Sequence, residues 1–204
     1  MEHKVMNNVR VYGLEESVIA SGYPMKKSYH PELIEGLPET LTKKDWKRAK
    51  NLANTPPASG HDCFLKGVIV QFDLTITEKM WPQFQRYTFA DFVSSMSTIH
   101  MLSKMNAEYI KYTDKKIIKD FEDIVDDFNH DPSRDNWLRM IYSYPSGLLL
   151  TARITTNYLQ LKNIYKQRNN HPLPEWKQFR DEMLELPHFK EWCTLGGNDD
   201  AQEG

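Results

Sequence analysis

The stretch FLKGVIVQFDLTIT, residues 64–77, decides the fold class of this chain. From Val68 to Ile76 every second residue is apolar, and β-branched and aromatic residues dominate. This period of two puts one set of side chains on one face of a β-strand and the intervening set on the other. The stretch therefore predicts a half-buried strand, and the remaining elements can be placed outward from it.

After this strand, the segments 89–105 and 114–128 carry apolar residues at every third or fourth position, which is the period of an amphipathic helix. We predict helices in the segments 78–87, 89–105, 114–128, 157–170 and 173–187. The fourth of these has a natural cap in Thr156 or Asn157. Residues 136–145 form either a short helix or an extended piece, and GLLLTARITT (147–156) is a candidate second strand. Before residue 64, one helix is expected over residues 43–53, capped by Thr40 or Thr42.

Composition indicates a single globular domain. The chain has 204 residues, of which 40% are hydrophobic and 26% charged, and we expect one domain over residues 1–195 and a disordered tail over 196–204. A net charge of -2 gives no general attraction to nucleic acid. No run approaches the roughly 18 apolar residues of a membrane helix. We therefore expect a cytoplasmic protein that binds neither membranes nor nucleic acid.

Common catalytic motifs are absent from the sequence. No phosphate-binding Walker loop, dinucleotide-binding GxGxxG, zinc-binding HExxH or esterase GxSxG element occurs. His61 and His100 lack further ligands at metal spacing, so no metal site is predicted. A serine nucleophile near His100 would lack an acid partner, so the serines of residues 94–97 are expected to form an ordinary polar face.

Isolated cations within apolar surroundings are the more informative feature. They are Arg86, Arg139, Arg153 and Arg168. Each one is either a surface residue whose stem covers the core, or a guanidinium held ready for phosphate or carboxylate. Taken together with Gln83, Asn157 and the nearby serines, they favour an anionic, hydrogen-bonding small molecule such as a nucleotide.

Two blocks of the sequence resemble the flavin-dependent thymidylate synthase family over residues 59–180. In the first block, His61 precedes the strand, Gln83 and Arg86 match a Gln-x-x-Arg-His-Arg element, and the serines of FVSSMS match a Ser-rich stretch. The second block has the order Arg139, Pro145, Asn157 and Arg168. The sequence departs from the family where Arg-His-Arg reads Arg86, Tyr87 and Thr88, where Ser-x-Arg-Tyr lacks its arginine, and where Asn-x-Arg reads Asn157, Tyr158 and Leu159.

This resemblance implies an α/β fold with helices packed on a mixed sheet, in a homotetramer whose sites lie between subunits. It implies reductive methylation, or hydroxymethylation, of the pyrimidine nucleotide dUMP. The cofactors implied are FAD, methylenetetrahydrofolate as carbon donor, and NADPH. Such chemistry needs no side-chain nucleophile, because the cofactor performs the hard step. The alternatives are a nucleotide-binding or sequestering protein of the same fold that has lost flavin, and an interaction protein with purely structural arginines.

The resemblance also assigns residues to roles. It implies that the substrate is bound by Gln83, Arg86, Ser95, Ser97, Arg139 and Arg168. Arg168 and Ser97 are also the residues implied in catalysis. The flavin would lie near His61, Arg86, Tyr87 and Asn157.

Overall fold

A computed structural model of the chain describes residues 4–25, 41–56 and 59–194. Its strands are β1 (Met6–Tyr12), β2 (Ile69–Thr77), β3 (Asp91–Ser95) and β4 (Leu149–Asn157), and they pair in the order β1-β2-β4-β3. Thr75 bonds Thr151, whereas Gln71 bonds Thr155, so β4 runs antiparallel to β2. The described sheet is antiparallel where the resemblance implied a mixed one, and the helices packed on it confirm the predicted class.

The helices of the described residues are mostly short. They are α1 (Leu14–Ala20), α2 (Lys43–Ala53), α3 (Trp81–Phe84), α4 (Thr98–Met101), α5 (Lys115–His130), α6 (Arg134–Ser143), α7 (Tyr158–Gln167), α8 (Pro174–Met183) and α9 (Phe189–Cys193). The predicted helices over 43–53 and 114–128 are confirmed by α2 and α5, and α6 resolves the open choice at 136–145 in favour of a helix. The strand β1 and the helices α1 and α9 were not predicted. Within the described ranges, no helix combines the length and hydropathy needed to cross a bilayer.

The predicted strand at residues 64–77 is confirmed by β2. Val70, Phe72, Leu74 and Ile76 are fully buried on one face, and the residues between them are half-buried on the other. The candidate strand at 147–156 is confirmed by β4, which repeats the alternation. The half-buried faces of the two strands carry matching polar pairs, including an ion pair of Arg153 with Asp73 at 3.1 Å. Arg153 thus has a structural partner on the sheet.

The predicted helix over residues 89–105 is wrong. Residues 91–95 form the edge strand β3, and only the four residues of α4 are α-helical within that span. The Met96 amide donates to the Thr151 carbonyl at 2.9 Å. Most of the apolar residues that a helix was expected to bury are exposed instead, with Phe89 at 68% and Val93 at 61%. Pairing with a strand distant in sequence outweighs local helical periodicity here.

The chain divides into two compact units. Unit 1 comprises Met1–Asn7, Asp73–Thr88 and Phe92–Ile154. Its core is built by apolar residues of α5, α6 and the segments flanking them, namely Leu102, Ile110, Phe121, Val125, Met140 and Leu148. Both helices begin at side-chain caps, because Asp114 accepts from the Lys116 amide and Ser133 accepts from the Asn136 amide.

Unit 2 comprises Asn8–Phe72, Phe89–Asp91 and Thr155–Gly204. Its core is aromatic: the Tyr158 ring meets Phe189 edge-on at 5.4 Å and Trp192 at 6.4 Å. The Tyr158 hydroxyl donates to the Pro187 carbonyl at 2.7 Å, which satisfies the polar end of this buried side chain. Thr42 caps α2 and forms a capping box with Asp45, so Thr42 is the cap among the predicted alternatives. Thr40 and the tail over 196–204 lie outside the described residues.

Candidate functional site

A cavity of about 130 Å³ lies in unit 1, beside α3. The β2–α3 connection supplies Glu78 to its lining, α3 supplies Trp81, and β3 supplies Phe92 and Ser95. Gln85, which follows α3, adds an amide. The cavity is therefore mostly apolar, with a few polar groups on its wall, which is the usual composition of a small-molecule site.

Among the polar side chains of this cavity, Glu78 and Trp81 are partly or fully withdrawn from solvent, whereas Gln85 and Ser95 are exposed. Burial raises the pKa of the Glu78 carboxyl. Burial, and then the charge of Glu78, raise the pKa of the Tyr144 phenol. The indole Nε1 of Trp81 is buried and finds no hydrogen-bond partner within the described part of the chain. A perturbed carboxyl in a concave setting is typical of functional sites.

The structure places five of the predicted site residues along the segment from α3 to α4 in unit 1. Gln83 is half-buried on α3, Arg86 is exposed just after it, and the Tyr87 ring lies 6.2 Å from that of Phe84. Ser95 lines the cavity, whereas Ser97 is the exposed N-cap residue of α4 and makes no side-chain cap bond. Ser95 is thus the one predicted residue that the structure assigns to this cavity's wall.

Arg139 also belongs to unit 1, but it does not line the cavity. It is exposed on α6, and its Nη1 donates to Asp127 Oδ2 on α5 at 2.7 Å. Exposed pairs of this kind contribute about 0–1 kcal/mol to stability. One edge of the Arg139 guanidinium is therefore already engaged by a neighbouring helix.

Unit 2 holds the remaining predicted residues, His61, Asn157 and Arg168. His61 is exposed at the start of the 3-10 segment His61–Gly67. Asn157 caps α7, because its Oδ1 accepts from the Gln160 amide at 2.9 Å. The predicted cap is confirmed, and it leaves the Asn157 Nδ2 as the group able to donate to a ligand.

Arg168 ends α7 and is held by an aromatic neighbour. Its guanidinium carbon lies 4.3 Å from the centroid of the buried Trp176 ring. His171 meets the same ring at 5.9 Å, and its Nδ1 accepts from the Leu173 amide. Burial, and then the charge of Arg168, lower the pKa of His171. Arg168 thus presents a positive charge at the C-terminal end of α7, next to that of Lys166 in the last turn.

Sequence reasoning missed Glu78, Trp81 and Trp176 as neighbours of the candidate groups. Glu78 could have been noticed as the acid that ends the alternating strand, and Trp176 as the aromatic residue of the next helix after Arg168. For metals, the described residues contain no group of three or more His, Cys, Asp and Glu side chains placed to hold an ion.

Comparison with known proteins adds to this geometry. No protein-family model and no curated protein sequence matches the chain. Two crystal structures of the flavin-dependent thymidylate synthase ThyX from Helicobacter pylori, both with FAD and dUMP, are similar to it at 14% identity. The first has a TM-score of 0.71 over 94% of this chain and 99% of the other, and the second a TM-score of 0.67 over 91% and 96%. The fold is that of the flavin-dependent thymidylate synthases.

The flavin-dependent thymidylate synthase fold confirms the expectation drawn from the two sequence blocks as far as architecture is concerned. It also extends the likeness beyond residues 59–180, because the matched structure covers nearly the whole chain. The roles of individual residues stay predictions, and they enter the proposal below.

Proposed function

We propose that this chain is a thymidylate synthase-like protein that binds a pyrimidine deoxynucleotide, dUMP, and transfers a one-carbon unit to it as methyl or hydroxymethyl. The observation that carries the proposal is the fold: its neighbours hold FAD and dUMP, and the matched share of this chain contains both sequence blocks. The sequence has no motif of a nucleophilic triad, and none is needed when a cofactor supplies the reactive group, since positioning and charge then suffice.

In this proposal, the residues that bind the nucleotide include Arg168, Ser95 and Ser97. Trp176 orients the Arg168 guanidinium as a flat donor, which suits phosphate oxygens or the charge that develops on a pyrimidine carbonyl. Ser97 and Ser95 offer hydroxyl donors, and Gln83 offers an amide. Asp127 engages the Arg139 Nη1, so a phosphate would bind through the remaining N–H groups of that guanidinium.

Some of the side chains predicted to bind flavin have the charge or the hydrogen-bond donors that this cofactor needs. In unit 1, Arg86 is exposed and carries a charge suited to a phosphate group of the flavin. In unit 2, His61 is exposed and the Asn157 Nδ2 is able to donate a hydrogen bond. Tyr87 and Thr88 stand where the family has further basic groups. When bound, flavin supplies a hydride, while the protein binds, orients and excludes water. Methylenetetrahydrofolate as carbon donor and NADPH as reductant belong to the same proposal.

Absorbance spectroscopy and calorimetry test the proposal together. Protein purified or reconstituted with FAD should show flavin absorbance bands and release heat on titration with dUMP. Heat on titration with dUMP without any flavin uptake would favour a nucleotide-binding protein of this fold that has lost flavin. Tyr87 and Thr88, which replace basic residues of the family's Arg-His-Arg element, support that alternative. Neither flavin uptake nor a dUMP signal would overturn both.

Replacing Arg168 by alanine should weaken dUMP binding at least tenfold, because charged hydrogen bonds of this kind are worth about 1.5–3 kcal/mol. The measurement is isothermal titration calorimetry with dUMP. Arg134→Ala is the matched control, since Arg134 also stacks on a tryptophan, Trp137, at 4.9 Å but belongs to no predicted site. Equal dUMP affinities for the two variants would contradict the role of Arg168.

We also propose a homotetramer, supported by the exposed edge strand β3. All five of its residues are exposed, and an exposed apolar edge is usually covered in the working assembly.

Analytical ultracentrifugation should give a mass near four times the 24.0 kDa of the chain. Val93→Lys should shift that mass downward, because a lysine on an edge strand opposes pairing. The control is Ile117→Lys on α5, which changes an exposed apolar residue outside β3 and should leave the mass unchanged. A monomeric wild-type chain would refute the tetramer.

A further inference from the structure

The helix α2 of unit 2 presents a row of cations that takes no part in the proposed function. Lys43, Lys47 and Lys50 are four and three positions apart, so they share one face of the helix and follow one another about 6 Å and about 4.5 Å along its axis. Lys44 lies beside them, and all four lysines are exposed. Asp45, the acid of this helix, is engaged in the capping box at its start. The face is therefore positively charged, although the whole chain has a net charge of -2.

An exposed histidine ring lies next to these lysines. The His188 ring stacks on that of Trp46, a residue of α2, with 4.5 Å between the ring centroids and an angle of 23°. Its Nδ1 donates to the Glu191 carboxylate, and the side chain remains 37% exposed. His188 also has a φ of +58°, in the left-handed region that few residues other than glycine adopt. The ring is thus fixed at the surface, where a further flat group can stack on it.

His188 also lines an open cavity of about 450 Å³ in unit 2. The lining is partly apolar and partly polar, and it consists of Leu184, Leu186, His188, Lys190, Glu191 and Thr194. The leucines offer a surface for a flat ring, while the Lys190 ammonium and the Thr194 hydroxyl can donate to phosphate or sugar oxygens. The charge of Glu191 is offset, because its carboxylate bonds His188 and lies 3.8 Å from Lys50. The cavity is large enough for a nucleobase with its sugar.

We propose that this surface of unit 2 binds single-stranded nucleic acid, with phosphates along the α2 lysines and at Lys190, and with one base stacked on His188. Cations beside an exposed ring are the arrangement by which proteins hold single strands without sequence preference: the charges follow the backbone and the ring takes a base. An anionic membrane fits less well, because the face of α2 that carries Ala49 and Ala53 is buried in unit 2 and cannot insert into lipid. None of the residues assigned to dUMP or flavin takes part.

Fluorescence anisotropy with a labelled oligouridylate of about 12 nucleotides tests the charge contacts. The logarithm of the association constant should fall linearly with the logarithm of the salt concentration, by about 0.7 for each phosphate contacted. Lys43→Gln with Lys47→Gln should make this slope shallower by about 1.4 and weaken binding about tenfold or more. Lys115→Gln with Lys116→Gln is the matched control, because it removes two exposed lysines from α5 in unit 1. It changes the net charge equally and should bind like the wild type.

Substitutions of His188 test the stacked base. His188→Ala should weaken binding of the oligouridylate about tenfold and leave the salt slope unchanged, because stacking of a base on a ring releases no counterions. His188→Phe keeps a flat ring and should retain most of the affinity, since phenylalanine also stacks on bases. Equal losses in the two variants would contradict the stacking role, whereas a purely structural histidine would not follow this order.

Further titrations identify the ligand and the site. An oligodeoxythymidylate of the same length distinguishes DNA from RNA, and binding of either one supports the proposal. No binding of either, or equal affinities of the two double lysine variants, would overturn it. Displacement of the oligonucleotide by excess dUMP would also overturn it, because the strand would then occupy the predicted nucleotide site. Binding to phosphatidylserine vesicles without binding to either oligonucleotide would show a membrane surface instead. Failure of dUMP or flavin binding would leave the proposal standing.

Discussion

Replacing Lys162 by methionine should lower the free energy of unfolding by about 3–5 kcal/mol, the usual cost of breaking a buried ion pair. Lys162 lies on α7 within unit 2 and is 3% exposed. Its ammonium donates to Asp62 Oδ2 at 2.7 Å and to the Ala53 carbonyl at 2.6 Å, so it ties the end of α2 and the 3-10 segment His61–Gly67 to α7. Methionine keeps most of the volume but leaves the Asp62 carboxylate buried without its partner.

Urea denaturation followed by circular dichroism measures this effect. Lys119→Met is the matched control, because Lys119 is 74% exposed and pairs with Asp123 at 3.4 Å on the surface of α5. That change should cost about 0–1 kcal/mol. The double variant Lys162→Met with Asp62→Leu should recover part of the loss, since it removes the orphaned charge. A loss below about 1 kcal/mol in Lys162→Met would contradict the prediction, because it would mean that the Asp62 carboxylate is not destabilised by losing Lys162.

Replacing Gly147 by alanine should destabilise the protein by about 3 kcal/mol or more, at the upper end of the overpacking range. A Cβ at this position would lie 2.0 Å from the Lys111 carbonyl oxygen and 2.3 Å from Thr113 Oγ1. The same Lys111 donates its amide to the Gly147 carbonyl at 2.8 Å, and the neighbouring Leu148 belongs to the unit 1 core. The backbone must therefore shift, because the nearest obstructing atom is a backbone oxygen and not the end of a flexible side chain.

Gly60 provides the control for that prediction. It has a φ of +78°, but a Cβ added there meets nothing within 4 Å. Gly60→Ala should therefore cost about 1–2 kcal/mol, from the left-handed backbone alone. Thermal unfolding of both variants measures the difference. Equal losses would show that backbone conformation, and not the close approach to Lys111, governs the two sites.

Local patterns in the sequence predicted much of the framework. The strand β2, the helix α5 and the caps at Thr42 and Asn157 all follow from residues within a few turns or one strand length of each other. Such features depend on local periodicity and on hydrogen bonds between residues close in the chain, so they can be predicted from the sequence. The resemblance then identified the fold, although the comparison structures share only 14% identity with the chain.

The segment 89–105 shows where local patterns fail. Its apolar residues recur with helical period, yet β3 forms there because the backbone pairs with β4, whose residues lie more than fifty positions later in the chain. The pattern indicated which residues are apolar, and it could not indicate that most of them would remain exposed. The proposed tetramer requires that other copies of the chain cover these exposed residues. A helical period in the sequence cannot indicate such contacts between subunits.

The sequence by itself determined the strands β2 and β4, the helices α2 and α5, the caps at Thr42 and Asn157 and the list of cations in apolar segments, because each depends on neighbours in the chain. Only the tertiary structure decided that Lys162 is buried against Asp62, which is 100 positions away, and that Arg168 stacks on Trp176. It also decided that Glu78 and Ser95 share one cavity wall. These juxtapositions arise from packing between distant segments, and packing sets both the burial and the charge environment on which binding chemistry depends.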